Sequence, residues 1–557
     1  MKDLIIKELE KVTSLKKEDI EKLIETPPSL DLGDYSFPCF SLAKEMKKNP
    51  VQIAQDLSKK ISLKEFEKIE AKGPYLNFFL NKNKISDSIL SEIQKKKDKY
   101  GSSKSKKSKV MLEFSQPNTH KAFHVGHIRG TSLGESLART LEFLGNEVIR
   151  ANYSGDTGMH IAKWLWCYEN YHKDEPLIDN EDWIAGIYVD AVKRLSENED
   201  LQKDVDEINR KIETKEDKRI NALWLKTRSL SIKSWGKIYK QLGTHFDIHF
   251  FESEVELSGK EAAEDLLKKG IAKRSDEAVI MDLEEYGLGV WVLLRKDGTV
   301  LYSAKDIALA KKKMKEFPAD NYLVILGDEQ KMHFQQLLKT LELMGINKNN
   351  AYSFLTFGMV RLPTGKMSSR TGDNILYSDF IKEVISYSQS EIEKREKLDK
   401  KDLEDRALKI AIAAIKYSML KQSPKNVIVF NKEEALNFEG NTGPYLLYSY
   451  ARARSILRKA KYKSSNLKSS KISDKEKELL VALGKFPGVV QHAANNLSPN
   501  LIANYAFDIS QKFNEFYHSE QVIGSEDEKF KLAIVDCFSQ VLRNALNLLG
   551  IETLEKM

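Results

Sequence analysis

The chain is expected to be an α/β protein built on an open parallel sheet, with a small α+β module before it and an all-α helical bundle after it. Three observations lead to that class. Residues 110–153 read as strand, loop, helix and strand, which is a βαβ unit. A buried apolar run, NYLVIL at residues 321–326, resumes the sheet after a long, charged, helical interval. From about residue 403 onward, amphipathic helical patterning continues with almost no strand signal.

Size and composition narrow the class further. At 557 residues the chain can bury several separate cores, so three domains are expected, at 1–100, 101–425 and 426–557. A charged fraction of 31% and a hydrophobic fraction of 41% are ordinary for a water-soluble protein, and no apolar run approaches the ~18 residues a bilayer span needs. No membrane partner is therefore expected. The opening MKDLIIKELEKV lacks the unbroken apolar core of a signal peptide, so a cytoplasmic location is expected. Cys39, Cys167 and Cys537 lie far apart and form neither a CxxC pair nor a disulfide framework, so the reading includes no structural zinc and no protein-held metal. A net charge of +7 permits a polyanionic partner without demanding one.

The elements follow in order. Helical patterning over residues 4–24 gives way to LDLGDYSFPCFSLAKEM, a helix near 51–61 and the strand-like AKGPYLNFFLN. In that last segment Tyr75, Phe78 and Phe79 could stack on unpaired bases or equally fill the module's core. The lysine- and serine-rich runs at 94–109 and 458–471 read as solvated linkers. In the βαβ unit Leu133, Leu137, Leu141 and Leu144 line one helical face, and Gly145 ends the helix. NYSGDTGMH follows as a strand end that faces a ligand crevice. Residues near 174–258 form a charged helical insertion anchored by Trp183, Trp224 and Trp235. AVIMDL, VWVLLR and TVLYSA read as three strands, the last two joined as a hairpin by Lys-Asp-Gly-Thr. Phe334, Leu337, Leu338, Leu341 and Met344 give the helix after 321–326 its apolar face.

Two stretches carry chemistry. His124 and His127 stand at the entrance of a helix whose free N–H groups attract anions, a phosphate site without a Walker loop. In FGMVRLPTGKMSSRTGD, Gly365 and Gly372 bracket Lys366, Ser368, Ser369 and Arg370, so donors sit on a loop able to close over a triphosphate. Alone, the first suits a capped helix and the second a basic surface loop. Their joint occurrence on one α/β core favours nucleotide chemistry.

HVGH at 124–127 resembles the first signature of class I aminoacyl-tRNA synthetases, and KMSSR at 366–370 a variant of the second. EFSQPNTHKAFHVGHIRGT is similar to the matching segment of arginyl-tRNA synthetases. GPYLNFF, YSAKD and FEGNTGPYLLYSYARARSI agree with that family's N-terminal additional domain, strand-helix junction and anticodon-binding domain, so the likeness spans nearly the whole chain. The resemblance implies a Rossmann-type catalytic domain that ligates L-arginine to tRNA(Arg) through arginyl-adenylate. ATP is a substrate with Mg²⁺, AMP and diphosphate leave, and activation depends on tRNA; separately from the resemblance, a monomer is expected.

By the same resemblance Lys121, His124, His127, Lys366 and Arg370 act in catalysis, and His124, Gly126, His127, Met359, Lys366, Ser368 and Ser369 bind ATP. Glu113, Asn118, Tyr302, Asp306 and Gln330 bind arginine, while Tyr75 and Asn77 touch tRNA. Gly126 is expected to leave room for the adenosine moiety. Asn118 also suits a simple turn, and Asp306 follows Ser303 at a helix-capping distance. Ser369 stands where the class I signature has lysine, and Gln116 where the family has a smaller residue. A synthetase for another amino acid, a catalytically idle RNA-binding relative and a general nucleotidyltransferase are the competing readings.

Overall fold

The computed structural model describes residues 2–25, 27, 32–103, 108–361, 363, 376–394, 396–463 and 472–557. They divide into two compact units. One comprises Met1–Tyr100, Ile456–Lys485 and Gln511–Val541; the other comprises Gly101–Ser455, Phe486–Ser510 and Leu542–Met557.

The first unit opens with helices α1 (Lys2–Val12) and α2 (Lys17–Leu23), followed by β1 (Tyr35–Pro38), α3 (Ala43–Met46), α4 (Pro50–Lys60), β2 (Phe66–Lys72), β3 (Tyr75–Leu80) and α5 (Lys82–Lys96). Strands pair antiparallel in the order β1-β3-β2, and Gly73 turns the β2–β3 hairpin at φ 58. Leu76, Phe78 and Leu80 alternate inward along β3 onto Ile5, Leu9, Ile20, Phe37 and Leu57. Asn49 accepts from the Val51 N–H and Pro50 fills the first helical position, so α4 starts where its sequence says. The expected linker at 94–109 begins as structure: α5 runs through Lys96, and Tyr100 is buried with its hydroxyl donating to the Leu483 carbonyl at 3.2 Å.

The second unit holds β4 (Lys109–Glu113), α6 (Val125–Phe143), β5 (Glu147–Ser154), α7 (Met159–Cys167), α8 (Glu181–Glu197), α9 (Gln202–Thr214), α10 (Lys218–Gln241) and β6 (Ile248–Phe251). Next come α11 (Glu256–Lys268), β7 (Lys273–Ser275), β8 (Ala278–Asp282), β9 (Val290–Leu294), α12 (Tyr302–Glu316), β10 (Asn321–Gly327), α13 (Lys331–Leu343), β11 (Tyr352–Phe357) and β12 (Val360–Arg361). Helices dominate the remainder: α14 (Tyr377–Glu393), α15 (Lys400–Leu420), the short strand β13 (Ile428–Val429), α16 (Lys432–Ala435), α17 (Gly443–Lys459), α18 (Asp474–Gly484), α19 (Phe486–Asn495), α20 (Asn500–Ser519) and α21 (Glu528–Leu548). Of these, α18, the end of α17 from Ile456, α20 from Gln511 and α21 as far as Val541 belong to the first unit.

A five-stranded parallel sheet in the order β11-β10-β4-β5-β6 organises the second unit. Chain order runs outward from β4 to β6 on one side and from β10 to β11 on the other. The connections therefore diverge between β4 and β10, and a crevice opens at the carboxyl ends there. Val110, Met111 and Leu112 are buried, as a strand covered on both faces requires.

Three expectations change. TVLYSA is not a strand: the Leu294–Val300 bridge and the Leu301 N–H to Leu293 carbonyl bond are its last sheet contacts, and α12 starts at Tyr302. The Lys-Asp-Gly-Thr turn does close an antiparallel pairing, with the Arg295 N–H donating to the Thr299 carbonyl, but Ala304, Ile307, Ala308 and Ala310 of α12 are buried at helical spacing, so core packing makes a helix from Tyr302 onward. The antiparallel sheet is instead β7-β8-β9. Finally, the interval 174–258 is not all insertion, because β6 at its end is the edge strand of the parallel sheet. No helix among the described residues is long and apolar enough to cross a membrane.

Candidate functional site

The amino end of α6 is built by its two histidines. His124 is the N-cap in extended backbone (φ −116, ψ 171); the Gly126 N–H donates to its Nδ1 at 3.1 Å, and its own N–H donates to His127 Nδ1 at 3.1 Å. Both Nδ1 atoms are thus acceptors, so in the neutral rings Nε2 carries the proton and is the free donor. The rings stack with centroids 3.8 Å apart. Burial, with Lys121 adding repulsion, lowers His124 to about 4; burial and then His124 hold His127 well below its usual value. Two neutral N–H donors therefore stand at the positive end of the helix.

Gly126 has a more local reason than ligand access. A Cβ there would lie 2.9 Å from His124 Cε1 and 3.0 Å from Nδ1, so the cap itself excludes a side chain.

The flanks of the second signature return to this helix. Arg129, fully buried on α6, donates to the carbonyls of Gly358 (2.8 Å) and Pro424 (2.7 Å), which fixes the turn carrying Met359. On the far side, Leu376 bridges His124 and the Tyr377 N–H donates to the Phe123 carbonyl at 2.8 Å. Lys366, Ser368, Ser369 and Arg370 lie outside the described residues. Met359 is half exposed.

A cleft of about 390 Å³ occupies the carboxyl ends of the sheet. It brings together all five predicted arginine contacts, Glu113, Asn118, Tyr302, Asp306 and Gln330, together with Lys121. His124, Gly126, His127 and Met359 are not in its wall. Tyr153, His160, Glu252, Lys313 and His333 are, and no sequence signal singled them out. Tyr153 and His160 do fall within NYSGDTGMH, the segment expected to face a crevice, whereas Glu252 follows the strand that went unrecognised.

The loops at this end hold one another. The Gly155 N–H donates to Asn118 Oδ1 (3.2 Å), the Thr119 N–H to the Gly155 carbonyl (3.0 Å) and the Gln116 N–H to Asn152 Oδ1 (3.0 Å). Ser115, Gln116 and His120 have φ of 80, 55 and 61, a conformation non-glycine residues adopt at a cost and keep where the surroundings enforce it. Asn118 is thus more than a simple turn residue.

Charge in the cleft is unevenly available. Glu113 is ion-paired with the fully buried Lys313 and accepts from Gln116 Nε2 at 2.9 Å, while Lys313 also donates to the Tyr352 hydroxyl at 3.1 Å. Glu113, expected as an arginine acceptor, thus lines the cleft with a cation from α12 already at its carboxylate. Asp306 accepts from His333 Nε2 at 2.6 Å, and Trp291 Nε1 donates to His333 Nδ1 at 3.2 Å. That indole contact makes Nδ1 the acceptor and leaves Nε2 as the donor to Asp306. Ser303, by contrast, bonds back to the Val292 carbonyl and does not pair with Asp306. Burial raises Glu252 to about 7, against the pull of Lys305 whose Nζ is 3.5 Å away. The Tyr153 hydroxyl and His160 Nε2 are buried atoms of the cleft residues with no hydrogen-bond partner, which is what a polar ligand would satisfy.

In the first unit, Tyr75 is partly exposed and meets the exposed Phe40 edge-on at 5.7 Å. Asn77 departs from expectation: it is buried, and its Oδ1 accepts from Ser36 at 2.7 Å, which makes it a core residue instead of a contact surface.

Comparison with known proteins agrees across the whole length. The family described as tRNA synthetases class I (R), catalytic domain, matches residues 89–432; the DALR anticodon binding domain matches 446–557, and the arginyl tRNA synthetase N terminal domain matches 1–80. Arginine–tRNA ligases of Clostridium perfringens and Clostridium acetobutylicum are 37% and 35% identical, each with 100% of both chains covered. The arginyl-tRNA synthetase of Thermus thermophilus superposes with a TM-score of 0.80 at 27% identity, covering 96% of each chain. With the cleft at the sheet's switch point, the paired histidines at α6 and these full-length matches, the chain belongs to the arginyl-tRNA synthetase family.

Proposed function

We propose a division of labour within an enzyme that joins L-arginine to tRNA with consumption of ATP. The cleft holds arginine, and the amino end of α6 holds the phosphates. One observation carries this reading: Lys121 lines the cleft and also lies close enough to His124 to depress its pKa, so a single side chain spans both regions.

In the first step the arginine carboxylate attacks the α-phosphate, the bond to the β-phosphate breaks and diphosphate leaves. In the second, a hydroxyl of the terminal tRNA ribose takes the acyl group, and AMP departs. The chain supplies no covalent nucleophile; it aligns reactants and donates to growing phosphate charge, at about 3 kcal/mol per well-placed donor. The Nε2–H groups of His124 and His127 and the Lys121 ammonium are such donors. By their resemblance to the second signature, Lys366, Ser368, Ser369 and Arg370 add further donors. The donors at α6 are nitrogens, which suit phosphate and not a hard divalent ion; Mg²⁺, when bound, would offset phosphate charge, and no residue is assigned to it.

For arginine, Asp306 supplies one acceptor carboxylate and Glu252 a second once a guanidinium offsets its burial. Glu113, held by Lys313, shapes the wall. Tyr302, Asn118 and Gln330 complete the contacts. Direct hydrogen-bond selection of this kind rejects side chains lacking the donors by ~10⁴ or more, so no editing step is needed. Tyr75 and the DALR region contact tRNA, whose presence is required for activation. A monomer in the cytoplasm completes the reading, supported by the three cysteines all being unpaired and buried.

Charging of total tRNA with each of the twenty amino acids tests the proposal. Arginine alone should be incorporated; stable incorporation of another amino acid, or none of arginine, would contradict it. Diphosphate exchange at equal rates with and without tRNA would remove the tRNA requirement while leaving the rest.

A further inference from the structure

We propose that Cys167, His172 and Asp190 form a binding site for one divalent transition-metal ion, zinc by its donor set, in the helical layer that follows β5. The site is separate from the cleft: none of the three residues lines it.

Backbone geometry brings the ligands together. Helix α7 ends at Cys167, and Tyr168–His172 then forms a single π-helical turn. In a regular α-helix, residues five apart point about 140° away from each other, so Cys167 and His172 would face different sides. The wider turn closes that angle. Such turns are rare and concentrate at functional positions. Asp190 arrives from α8. Its Oδ2 lies 3.0 Å from His172 Nε2 and 3.4 Å from Cys167 Sγ, and one donor atom from each residue falls within 4.8 Å of the others.

The separations from Asp190 Oδ2 are near those of donors around one ion. Around a tetrahedral centre with bonds of about 2.0 Å to nitrogen or oxygen and 2.3 Å to sulfur, neighbouring donors stand about 3.3–3.6 Å apart. The donor set of one thiolate, one imidazole and one carboxylate is a zinc set, with a fourth position left for water. The imidazole is also oriented as metal-binding histidines are. His172 Nδ1 contacts Glu175 Oε1 at 2.6 Å, and Glu175 is fixed in turn by Trp183 Nε1 at 2.7 Å, which leaves Nε2 directed at the site.

Access and charge are consistent with this. Cys167 is buried, but the side chains of His172 and Asp190 are 21% and 27% exposed, so an ion has a path in. On capture the sulfur–metal bond forms and the Cys167 thiol proton leaves to solvent. A thiolate and a carboxylate neutralise the divalent charge. Arg194 Nε, now 2.8 Å from Asp190 Oδ2, is the competing cation and must yield that oxygen or share the carboxylate.

Cobalt(II) substitution tests the site on the full chain after removal of metal with a chelator. One equivalent of Co²⁺ should give the visible bands of a tetrahedral centre and a sulfur-to-cobalt charge-transfer band, and Zn²⁺ should bleach both. The charge-transfer band should vanish in Cys167→Ser. Glu175→Gln should weaken Co²⁺ binding by about 10-fold or more through loss of imidazole orientation. Absence of tetrahedral bands in the unaltered chain overturns the site without recourse to any variant. So does a charge-transfer band that persists in Cys167→Ser. Because a change at buried Cys167 can disturb folding, His172→Gln at the half-open side provides a second check. Its affinity should fall at least about 10-fold with an unchanged far-ultraviolet circular dichroism spectrum, and unchanged affinity contradicts the assignment.

Discussion

Glu252 makes arginine recognition a function of pH. Burial raises its carboxyl to about 7, so below that value it is neutral and above it an anion facing the cleft. A guanidinium is attracted to the anion alone. The KM for arginine should therefore fall as pH rises from 6 to 8 and then level off, whereas Glu252→Gln should flatten the profile. For stability the sign is opposite: a carboxyl raised in the folded state is most favourable at low pH, and its contribution declines as pH rises through about 7. The histidines at α6 give a second expectation. His127→Ala removes one N–H donor and should lower turnover by about 10²-fold while leaving the KM for arginine nearly unchanged. If KM rises and turnover holds, His127 belongs with arginine instead. At this scale the sequence disclosed the signature residues and the five cleft residues. It did not disclose which carboxylate is free, because the pairing of Glu113 with Lys313 joins a strand end to a residue on α12. Glu252 and His333 were hidden for the same reason, since each acquires its role only through a neighbour distant in the chain.

Arg129 works at the level of elements. Its two terminal nitrogens hold the carbonyls of Gly358 and Pro424, so one side chain joins α6 to the turn before β12 and to the loop after α15. Arg129→Lys offers a point charge where a planar fork is needed, and Arg129→Ala leaves the buried Gly358 carbonyl without its donor, at about 1–3 kcal/mol, and the Pro424 carbonyl with the Gly358 N–H alone. Both variants should lower the melting temperature, alanine more than lysine, and both should raise the KM for ATP because the flank of the second signature is loosened. An unchanged melting temperature in Arg129→Ala would sink this account. Elements were legible where periodicity was long, as in α6 and in the helices beyond residue 400. They were missed where strands are short and packing decides. Residues Ile248–Phe251 form a four-residue edge strand within a charged interval, and Tyr352–Phe357 was passed over although it completes the sheet. TVLYSA failed because Tyr302 and Ser303 carry strand propensity but begin a helix whose alanines need a core. The Cys167–His172 spacing gave no metal signal for a similar reason, since only a π turn makes a five-residue interval a ligand pair.

Across the whole molecule, the switch point between β4 and β10 sets where chemistry can occur. Strand ends from β4, β5 and β6 and the start of α12 all deliver polar side chains there, and α6 starts from the loop that follows β4. Resemblance along the full chain indicated this arrangement before any geometry was available, whereas composition and periodicity alone reached only an anion-binding α/β unit. Asp306 in this cleft is proposed to read the arginine side chain. It is tested most directly by the KM for arginine in aminoacylation by Asp306→Asn, measured beside the KM for ATP. Loss of one charge-assisted acceptor, about 1.5–3 kcal/mol, predicts a rise of about 10- to 100-fold for arginine with the ATP value unchanged. An arginine KM equal to that of the unaltered enzyme would contradict the claim.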